Sequence, residues 1–219
     1  MRVGIVGAGH IGQSVARVAV KAGHSVLLSN SRGPESISVV ALAIGAKAGT
    51  VEEAAAFGDI VVLAIPLHAY SSLDARLFDG KIALDTGNYY PNRDGEIGVL
   101  ETQAITTSQY LARYLPGAQI VKAFNAILAA HILRDVQPAG SPGRRALPIA
   151  GDDAAAKSTV SEFVDSIGFD VVDLGPLSES WKIERARPAY CIPLDKVRLE
   201  TTLAATERDS FVPEGSWRG

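Results

Sequence analysis

The sequence predicts an α/β protein in which helices cover both faces of a doubly wound, mostly parallel sheet. Two observations support this fold class. Short β-branched runs alternate with stretches of helical spacing along the chain. Residues 59–65 form a near-continuous apolar run, which is expected of a strand buried on both faces. The chain has 219 residues, of which 47% are hydrophobic and 21% charged, so a packed core is expected.

The pattern places strands and helices in turn. Strands are predicted at residues 2–6, 25–29, 59–65, 81–85, 119–122, 146–150 and 169–173. Helices are predicted at residues 11–22, 34–44, 107–115 and 129–134, after Thr50, after Asp153, and from about Ser178. Thr50 and Glu53 have the spacing of a capping box. Asp153, with Asp152 before it, is typical of a helix N-cap rather than of a metal site, and no metal is expected.

A Pro- and Gly-rich stretch at residues 137–145 divides the chain. It separates a predicted nucleotide-binding domain, residues 1–136, from a small C-terminal α/β segment, residues 137–219. Arg144 and Arg145 lie in this stretch and are expected to be solvated. The tail from about Thr206 has weak periodicity, so we expect it to be mobile or to pack on a partner subunit.

Charge and composition exclude several classes of partner. The chain carries 21 Lys and Arg against 24 Asp and Glu, and a net charge of −3 offers no footprint for nucleic acid or an anionic membrane. Its apolar runs are far shorter than the roughly 20 residues that a membrane span needs. The single cysteine, Cys191, cannot form an internal disulfide. The first strand begins directly after Met1, and a cytoplasmic location is expected.

The strongest chemical signal is the glycine pattern Gly7-Ala8-Gly9-His10-Ile11-Gly12. It follows a predicted strand and opens a predicted amphipathic helix, which is the context of a Rossmann dinucleotide-binding loop. Gly7 allows the tight turn, Gly9 allows a pyrophosphate to approach the backbone, and Gly12 allows the helix to lie close to the strand. The free N–H groups of the helix start would face the anion.

The end of the second predicted strand favours NADP over NAD. An NAD site usually has an acidic residue here for the ribose 2′-hydroxyl. This chain instead has Asn30, Ser31 and Arg32, and its first carboxylate is Glu35. Hydroxyl, amide and guanidinium groups can bind a 2′-phosphate that a carboxylate would repel. The alternative is that Arg32 is a surface residue and that either nucleotide binds.

Six motifs in chain order resemble a known family. They are GAGHIG, NSRGPES, AIP, VKAFN, GDD and DLGPL. Together they resemble the deazaflavin (coenzyme F-420)-dependent NADP reductases, and they are also similar to the cytosolic oxidoreductase domain of six-transmembrane metalloreductases, which uses a flavin. The resemblance extends from residue 1 to about Leu194.

The resemblance implies an NADP-binding Rossmann domain whose nicotinamide meets a flavin-like ring in a cleft closed by the C-terminal segment. Gly9, His10 and Ile11 would hold the pyrophosphate, and Ser31 and Arg32 the 2′-phosphate. Ile65 and Pro66 would form a wall of the cofactor site. The stretch from Asn125 to Ala129 would lie where the nicotinamide and the acceptor ring stack.

Few side chains are candidates for proton transfer. His68 is placed near the adenosine or the nicotinamide, or is a polar loop residue. Tyr89 and Tyr90 follow a strand on the cleft side, where adjacent tyrosines more often form an apolar lid. Lys122 could act on a carbonyl, although a structural ion pair is favoured, and Cys191 is interpreted as a small apolar residue.

Hydride transfer between nicotinamide and a flavin or deazaflavin requires ring stacking more than an acid–base pair. The phosphate loop and the residues after the second strand predict an NADP(H)-dependent oxidoreductase, and the resemblance implies FMN, FAD or coenzyme F-420 as its small-molecule redox acceptor. Two alternatives stay open: an NADPH-dependent imine or carbonyl reductase, and a binding module that holds NADP without turnover. A homodimer is expected because the small C-terminal segment can scarcely enclose a two-ring site.

Overall fold

One eight-stranded sheet organises the protein in the computed structural model, which describes residues 1–218. The strands are β1 (Arg2–Val6), β2 (Ser25–Ser29), β3 (Lys47–Gly49), β4 (Ile60–Leu63), β5 (Ile82–Asp85), β6 (Gln119–Lys122), β7 (Ala146–Gly151) and β8 (Asp170–Asp173). Their order is β3-β2-β1-β4-β5-β6-β7-β8, and only β6 and β7 pair antiparallel. The predicted fold class, a Rossmann-type α/β fold with a small C-terminal segment, is confirmed.

The helices connect and cover the strands. They are α1 (His10–Lys21), α2 (Ser38–Ile44), α3 (Val51–Phe57), α4 (Pro91–Asp94), α5 (Gly98–Glu101), α6 (Thr107–Ala112), α7 (Ala129–Arg134), α8 (Ala154–Ser166) and α9 (Lys196–Ala204). Short 3-10 segments occupy Pro34–Ile37, Leu67–Ser72, Ala75–Phe78, Leu177–Ile183 and Ser216–Arg218. None of the helices in residues 1–218 is both long and apolar enough to cross a bilayer.

Two predicted caps are confirmed. The Thr50 hydroxyl accepts from the backbone N–H of Glu53, whose carboxylate accepts in turn from the N–H of Thr50, and together they form the capping box of α3. The Asp153 carboxylate accepts from the backbone N–H of Ala156 and caps α8.

Each face of the sheet carries its own apolar cluster, because successive strand residues point to opposite faces. Ile5 and Val62 lie in one cluster with Val15 of α1 and Phe163 of α8. Val61 and Ala83 of adjacent strands lie in the other, with Ala54 of α3 and Leu111 of α6. Helices therefore bury both faces of the central strands, as the apolar run at residues 59–65 predicts.

Strand register aligns the carboxyl ends of the central strands. Val6 pairs with Leu63, Leu63 with Asp85, and Asp85 with Lys122. The loops that follow β1, β4, β5 and β6 consequently open at one edge of the sheet. The strand order reverses between β1 and β4, and this switch point is where open α/β sheets bind ligands.

The tail differs from its prediction. Helix α9 ends at Ala204, just before the tail, and tail residues pack on their own chain. The Arg187 guanidinium donates to the backbone carbonyls of Arg208 at 2.7 Å and Ser210 at 3.1 Å. Trp217 is buried, with its ring 5.1 Å from that of Tyr190. These contacts join residues that are 20 or more positions apart, so hydrophobic periodicity does not reveal them. Gly219 lies outside the described residues.

The helix predicted from about Ser178 forms as a 3-10 helix over Leu177–Ile183. A further expectation is wrong. Arg144 and Arg145 are buried rather than solvated, with 2% and 4% of their surface exposed. Arg144 pairs with Asp165 and Asp170, and Arg145 with Asp135, so carboxylates from other elements compensate both guanidinium groups.

Helix α1 lies so close to the glycine loop that Gly12 tolerates no side chain. A Cβ at Gly12 would lie 1.9 Å from the carbonyl oxygen of Gly7. We expect Gly12→Ala to lower the free energy of unfolding by about 2 kcal/mol or more, because helix and loop must separate. Urea denaturation measures this effect.

Gly9→Ala is the matched control for stability. Gly9 has φ −75° and ψ −172°, and a Cβ there would meet no atom within 4 Å. We expect its free energy of unfolding to stay within about 0.5 kcal/mol of wild type. Equal stability of the two variants would contradict the close-packing explanation.

Candidate functional site

The glycine loop turns tightly between β1 and α1. Gly7 has φ +112°, a conformation that favours glycine, and a Cβ there would lie 2.3 Å from the carbonyl oxygen of Ala64. The loops after β1 and β4 therefore touch at this point. Gly12 contributes through the close packing described above, and it lies outside the lining of both cavities described below.

The start of α1 is suited to an anion. Gly9 is the N-cap and provides no side-chain cap, and the first turn contains no acidic residue. The backbone hydrogen bonds of the helix begin with the N–H of Gln13 donating to Gly9. The N–H groups of the preceding turn, together with the helix dipole, favour a phosphate at this end.

A cavity of about 730 Å³, here called the glycine-loop cavity, lies between the glycine loop, the end of β2 and the segment after β4. Eight of the predicted site residues line it: Gly7, Gly9, Asn30, Ser31, Arg32, Ile65, Pro66 and His68. The structure thus brings the phosphate loop and the residues after β2 to one concave surface, as the sequence predicts.

The rim beside β2 is held by local hydrogen bonds. The Asn30 Oδ1 accepts from the backbone N–H of Arg32 at 3.0 Å, and its Nδ2 donates to the Ser36 hydroxyl at 2.9 Å. Arg32 and Ser31 are exposed. Asn30 consequently shapes the rim, while the Arg32 guanidinium and the Ser31 hydroxyl are free to bind an incoming anion.

Acidic groups of the same cavity lie on other elements. Glu52 is in the first turn of α3, and Asp74 precedes the Ala75–Phe78 segment. Asp74 forms an ion pair with Arg76 at 2.7 Å, which offsets its charge. His68 lines the cavity as well, and its Nδ1 lies 3.2 Å from Asp94.

A second cavity of about 410 Å³, here called the inter-loop cavity, lies between the loops after β1, β4, β5 and β6. It shares four lining residues with the first: Gly9, Ala64, Ile65 and Pro66. Four more residues of the predicted site line it: His10, Ile11, Asn125 and Ala129. The two cavities are therefore neighbours across the Ile65-Pro66 wall.

Tyr90 and Tyr190 line the inter-loop cavity, and their hydroxyl oxygens lie 2.8 Å apart. Burial raises the pKa of Tyr190, so its hydroxyl stays protonated at neutral pH. The guanidinium carbons of Arg93 and Arg185 lie 4.6 Å and 5.2 Å from the centre of the Tyr90 ring. Tyr89 points elsewhere, because its hydroxyl oxygen lies 2.5 Å from Glu101 Oε1 and 2.8 Å from the carbonyl oxygen of Gly95.

Cys191 also lines the inter-loop cavity and is buried. Burial raises the pKa of its thiol to about 11. The group is therefore a neutral thiol at physiological pH, which fits its interpretation as an apolar residue and not as a nucleophile.

An ion pair between Asp85 and Lys122 lies beneath the cavity, with both side chains fully buried. Their strands pair in register, so the two side chains project from one face at the carboxyl edge. Asp85 accepts from Lys122 Nζ at 3.1 Å, from Ser108 at 2.7 Å and from the Tyr70 hydroxyl at 3.0 Å. The prediction that Lys122 forms a structural ion pair is confirmed.

The ion pair fixes the loop after β5. Asp85 Oδ1 accepts from the backbone N–H of Gly87 at 2.8 Å, and Lys122 Nζ donates to the carbonyl of the same residue. Burial, followed by the charge of Asp85, raises the pKa of Tyr70 well above its ordinary value, so this phenol remains a donor. Thr86, Gly87 and Asn88 line the inter-loop cavity above this network.

Sequence reasoning missed several lining residues: Asn88, Arg93 and Tyr190, with Asp85 below them. Asp85 could have been found from the sequence, because Asp85 and Lys122 end two consecutive predicted strands and have opposite charges. Tyr190 carried no such signal, because the stretch between residues 184 and 195 reaches the cavity only through tertiary packing. Within residues 1–218 no three His, Cys, Asp or Glu side chains group as a metal site.

Comparison with known proteins finds a family match over the N-terminal part of the chain. Residues 2–89 match the sequence family of coenzyme F-420-dependent NADP oxidoreductases. Metalloreductase STEAP3 of Rattus norvegicus is 33% identical over 198 residues, which cover 90% of this chain. A solved structure of a hypothetical protein from Sinorhizobium meliloti is 31% identical, with a TM-score of 0.77, and the match covers 90% of this chain and 95% of that one.

The family match covers residues 2–89, so the N-terminal part of the chain is similar to the coenzyme F-420-dependent NADP oxidoreductases. The chain spans only 38% of the length of the rat metalloreductase. A structure from Arthrobacter sp. FB24 that is named for F-420-dependent NADP reduction has a TM-score of 0.68 and covers 82% of this chain and 87% of that one. Its identity of 23% supports the fold alone.

The match of residues 2–89 to a family of NADP oxidoreductases agrees with the nucleotide predicted from the sequence. The predicted domain boundary near residue 137, the homodimer and the location in the cell stay predictions.

The Asp85–Lys122 pair yields a test of its structural role. We expect Lys122→Met to lower the free energy of unfolding by about 3–5 kcal/mol, because it leaves Asp85 buried without its counter-charge. The double variant Asp85→Asn with Lys122→Met removes both charges and should recover part of that loss. Chemical denaturation measures both, and a single variant within about 1 kcal/mol of wild type would contradict the assignment.

Proposed function

We propose that this chain binds NADP(H) and transfers hydride between its nicotinamide and a flavin or deazaflavin ring. The single observation that carries the proposal is the pair of neighbouring cavities that share the Ile65-Pro66 wall. The glycine-loop cavity has the phosphate loop and an acid-free rim after β2. The inter-loop cavity leaves space for rings beside that wall.

The residues present fit the cofactor. The open space at Gly9 and the uncapped start of α1 suit a pyrophosphate. Ser31 and Arg32 suit a 2′-phosphate, with Asn30 holding the rim. Ile65, Pro66 and Asn125 would border the nicotinamide, and His68 would lie toward the adenosine. The other lining residues near the nicotinamide would be His10, Ile11 and Ala129.

NADPH supplies a hydride when it is bound, and the protein supplies orientation and a dry site. Ile65, Phe124 and Leu128 give the inter-loop cavity apolar walls that limit water. The two-ring reaction requires no dedicated acid, since reacting distance and alignment dominate. The neutral Cys191 thiol and the paired Lys122 are consistent with a site of this kind.

A second candidate is an imine or carbonyl reductase. It is favoured by the Tyr90–Tyr190 hydroxyl pair, which lines the inter-loop cavity, and by the burial of Tyr190, which raises the pKa of that hydroxyl. Such a pair could donate the proton that reduction of an imine or carbonyl requires.

An acceptor panel separates the candidates. NADPH oxidation is followed with FMN, FAD, coenzyme F-420 and cyclic imines. We expect turnover with a flavin or deazaflavin, since the cavity walls suit a planar ring. Turnover with imines only, with kcat about 10²-fold lower in Tyr90→Phe, would establish the second candidate instead. NADPH binding without any turnover would indicate a binding module.

Arg32→Ala tests the nucleotide assignment. We expect the dissociation constant for NADPH to rise about 10- to 100-fold, because a charge-assisted hydrogen bond to the 2′-phosphate is lost. The constant for NADH should change less than about 3-fold, since NADH lacks that phosphate. Calorimetry or quenching of protein fluorescence measures both.

Arg17→Ala is the matched control, because Arg17 is an exposed arginine on α1 that lines neither cavity. It should leave both dissociation constants unchanged. Equal losses for NADPH and NADH in Arg32→Ala would refute the role of Arg32 at the 2′-phosphate.

A further inference from the structure

Asn125 occupies a strained and buried position beside the inter-loop cavity. The residue before it, Phe124, has φ +59°, which is uncommon for a residue with a large side chain. Phe124 is 1% exposed, and its ring packs 6.4 Å from that of Phe163. Strain of this kind tends to persist at functional sites, and here it turns the chain so that Asn125 lines the cavity.

The side-chain amide of Asn125 is only half satisfied. Both hydrogens of its Nδ2 are used, one donated to Asn88 Oδ1 at 3.1 Å and one to the carbonyl of Ile183 at 2.7 Å. Its Oδ1 has no hydrogen-bond partner within residues 1–218, although that atom is buried and the residue is only 3% exposed. An unpaired buried oxygen is destabilising, so such a group calls for a specific explanation.

The orientation of this amide is determined by its neighbours. Ile183 offers a carbonyl oxygen, so an exchanged amide would place two acceptors against each other. Asn88 is held in turn, since its own Nδ2 donates to the backbone carbonyl of Asn125 at 2.9 Å. The unpaired atom is therefore an acceptor, and it can be satisfied only by a donor.

The position of Asn88 depends on the Asp85–Lys122 pair. That pair binds both the N–H and the carbonyl of Gly87, the residue immediately before Asn88. A Cβ at Gly87 would lie 2.1 Å from the Tyr70 hydroxyl, so the loop is pressed onto the network without room to shift. Asp85 and Lys122 are thus positioning residues that act through Gly87 and Asn88.

We propose that Asn125 Oδ1 accepts a hydrogen bond from an N–H group of the ligand in the inter-loop cavity, and that Asp85, Lys122 and Asn88 hold it in place. The proposal deepens the proposed function and rests on it. Each of the two proposed ligands carries such a group: the carboxamide of nicotinamide, and the ring imide N–H of a flavin or deazaflavin. A ligand without the donor would leave the buried oxygen unpaired and bind more weakly.

The first arm of the test compares ligands that differ in the carboxamide. NADP⁺ and its 3-acetylpyridine analogue differ in that a methyl group replaces the amide NH₂. If the carboxamide is the donor, wild type should prefer NADP⁺ by about 5- to 10-fold in dissociation constant, the range of a single net hydrogen bond. In Asn125→Ala that preference should fall below about 2-fold.

The second arm compares riboflavin with 3-methylriboflavin, which lacks the imide N–H, as acceptors with NADPH saturating. If the acceptor ring is the donor, the same 5- to 10-fold preference should appear in KM and vanish in Asn125→Ala. Asn88→Ala tests positioning, and it should reduce the preference in whichever arm shows one. A role in folding alone would leave that ratio unchanged.

Asn92→Ala is the matched control, because Asn92 is exposed on the short helix α4 and lines neither cavity. It should keep the wild-type preference. A wild-type preference below 2-fold in both arms overturns the proposal even if no Asn125 variant folds. If Asn125→Ala keeps the wild-type ligand preference, the proposal is also overturned. If Asn88→Ala keeps it, the positioning role of Asn88 is overturned. Wild type that binds no NADP⁺ would instead refute the proposed function.

Discussion

The close approach of α1 to the carboxyl ends of β1 and β4 is the constraint on which both cavities depend. A side chain at Gly7 would overlap the carbonyl of Ala64, and one at Gly12 would overlap the carbonyl of Gly7. The loops after β1 and β4 can therefore touch, and their contact gives the two cavities a common wall of Ala64, Ile65 and Pro66. A wider separation would move the glycine loop away from the inter-loop cavity.

The Asp85–Lys122 ion pair lies at the same edge of the sheet. Its two charges are fully buried, which is rare in a protein core. Moving two charges out of water is costly, and the pair offsets this through further donors: Tyr70, Ser108 and the Gly87 N–H. What the arrangement provides is a rigid loop after β5. Rigid walls suit chemistry that depends on the alignment of two rings, because misalignment of about 1 Å can lower a rate about 100-fold.

Much of this structure could be predicted from local patterns. The alternation of β-branched and amphipathic runs predicts a mostly parallel sheet covered by helices. Thr50 and Asp153 predict the N-caps of α3 and α8, and the glycine loop predicts the start of α1. Long-range contacts could not be predicted. Arg145 lies in a stretch with loop composition, but it is buried, pairs with Asp135 and forms a backbone bridge with Asp195. Tyr190 reaches the inter-loop cavity through folding of residues beyond 183, and the unpaired Asn125 oxygen depends on Asn88 and Ile183, which are far away in sequence.

The most direct test of the central claim is a crystal structure of the protein with NADP⁺ bound. The pyrophosphate should accept hydrogen bonds from the backbone at the start of α1, with the 2′-phosphate beside Ser31 and Arg32. The nicotinamide should lie past the Ile65-Pro66 wall, in the inter-loop cavity. Clear density for the dinucleotide anywhere else on the molecule, or a glycine loop that stays free of phosphate at saturating NADP⁺, would contradict it.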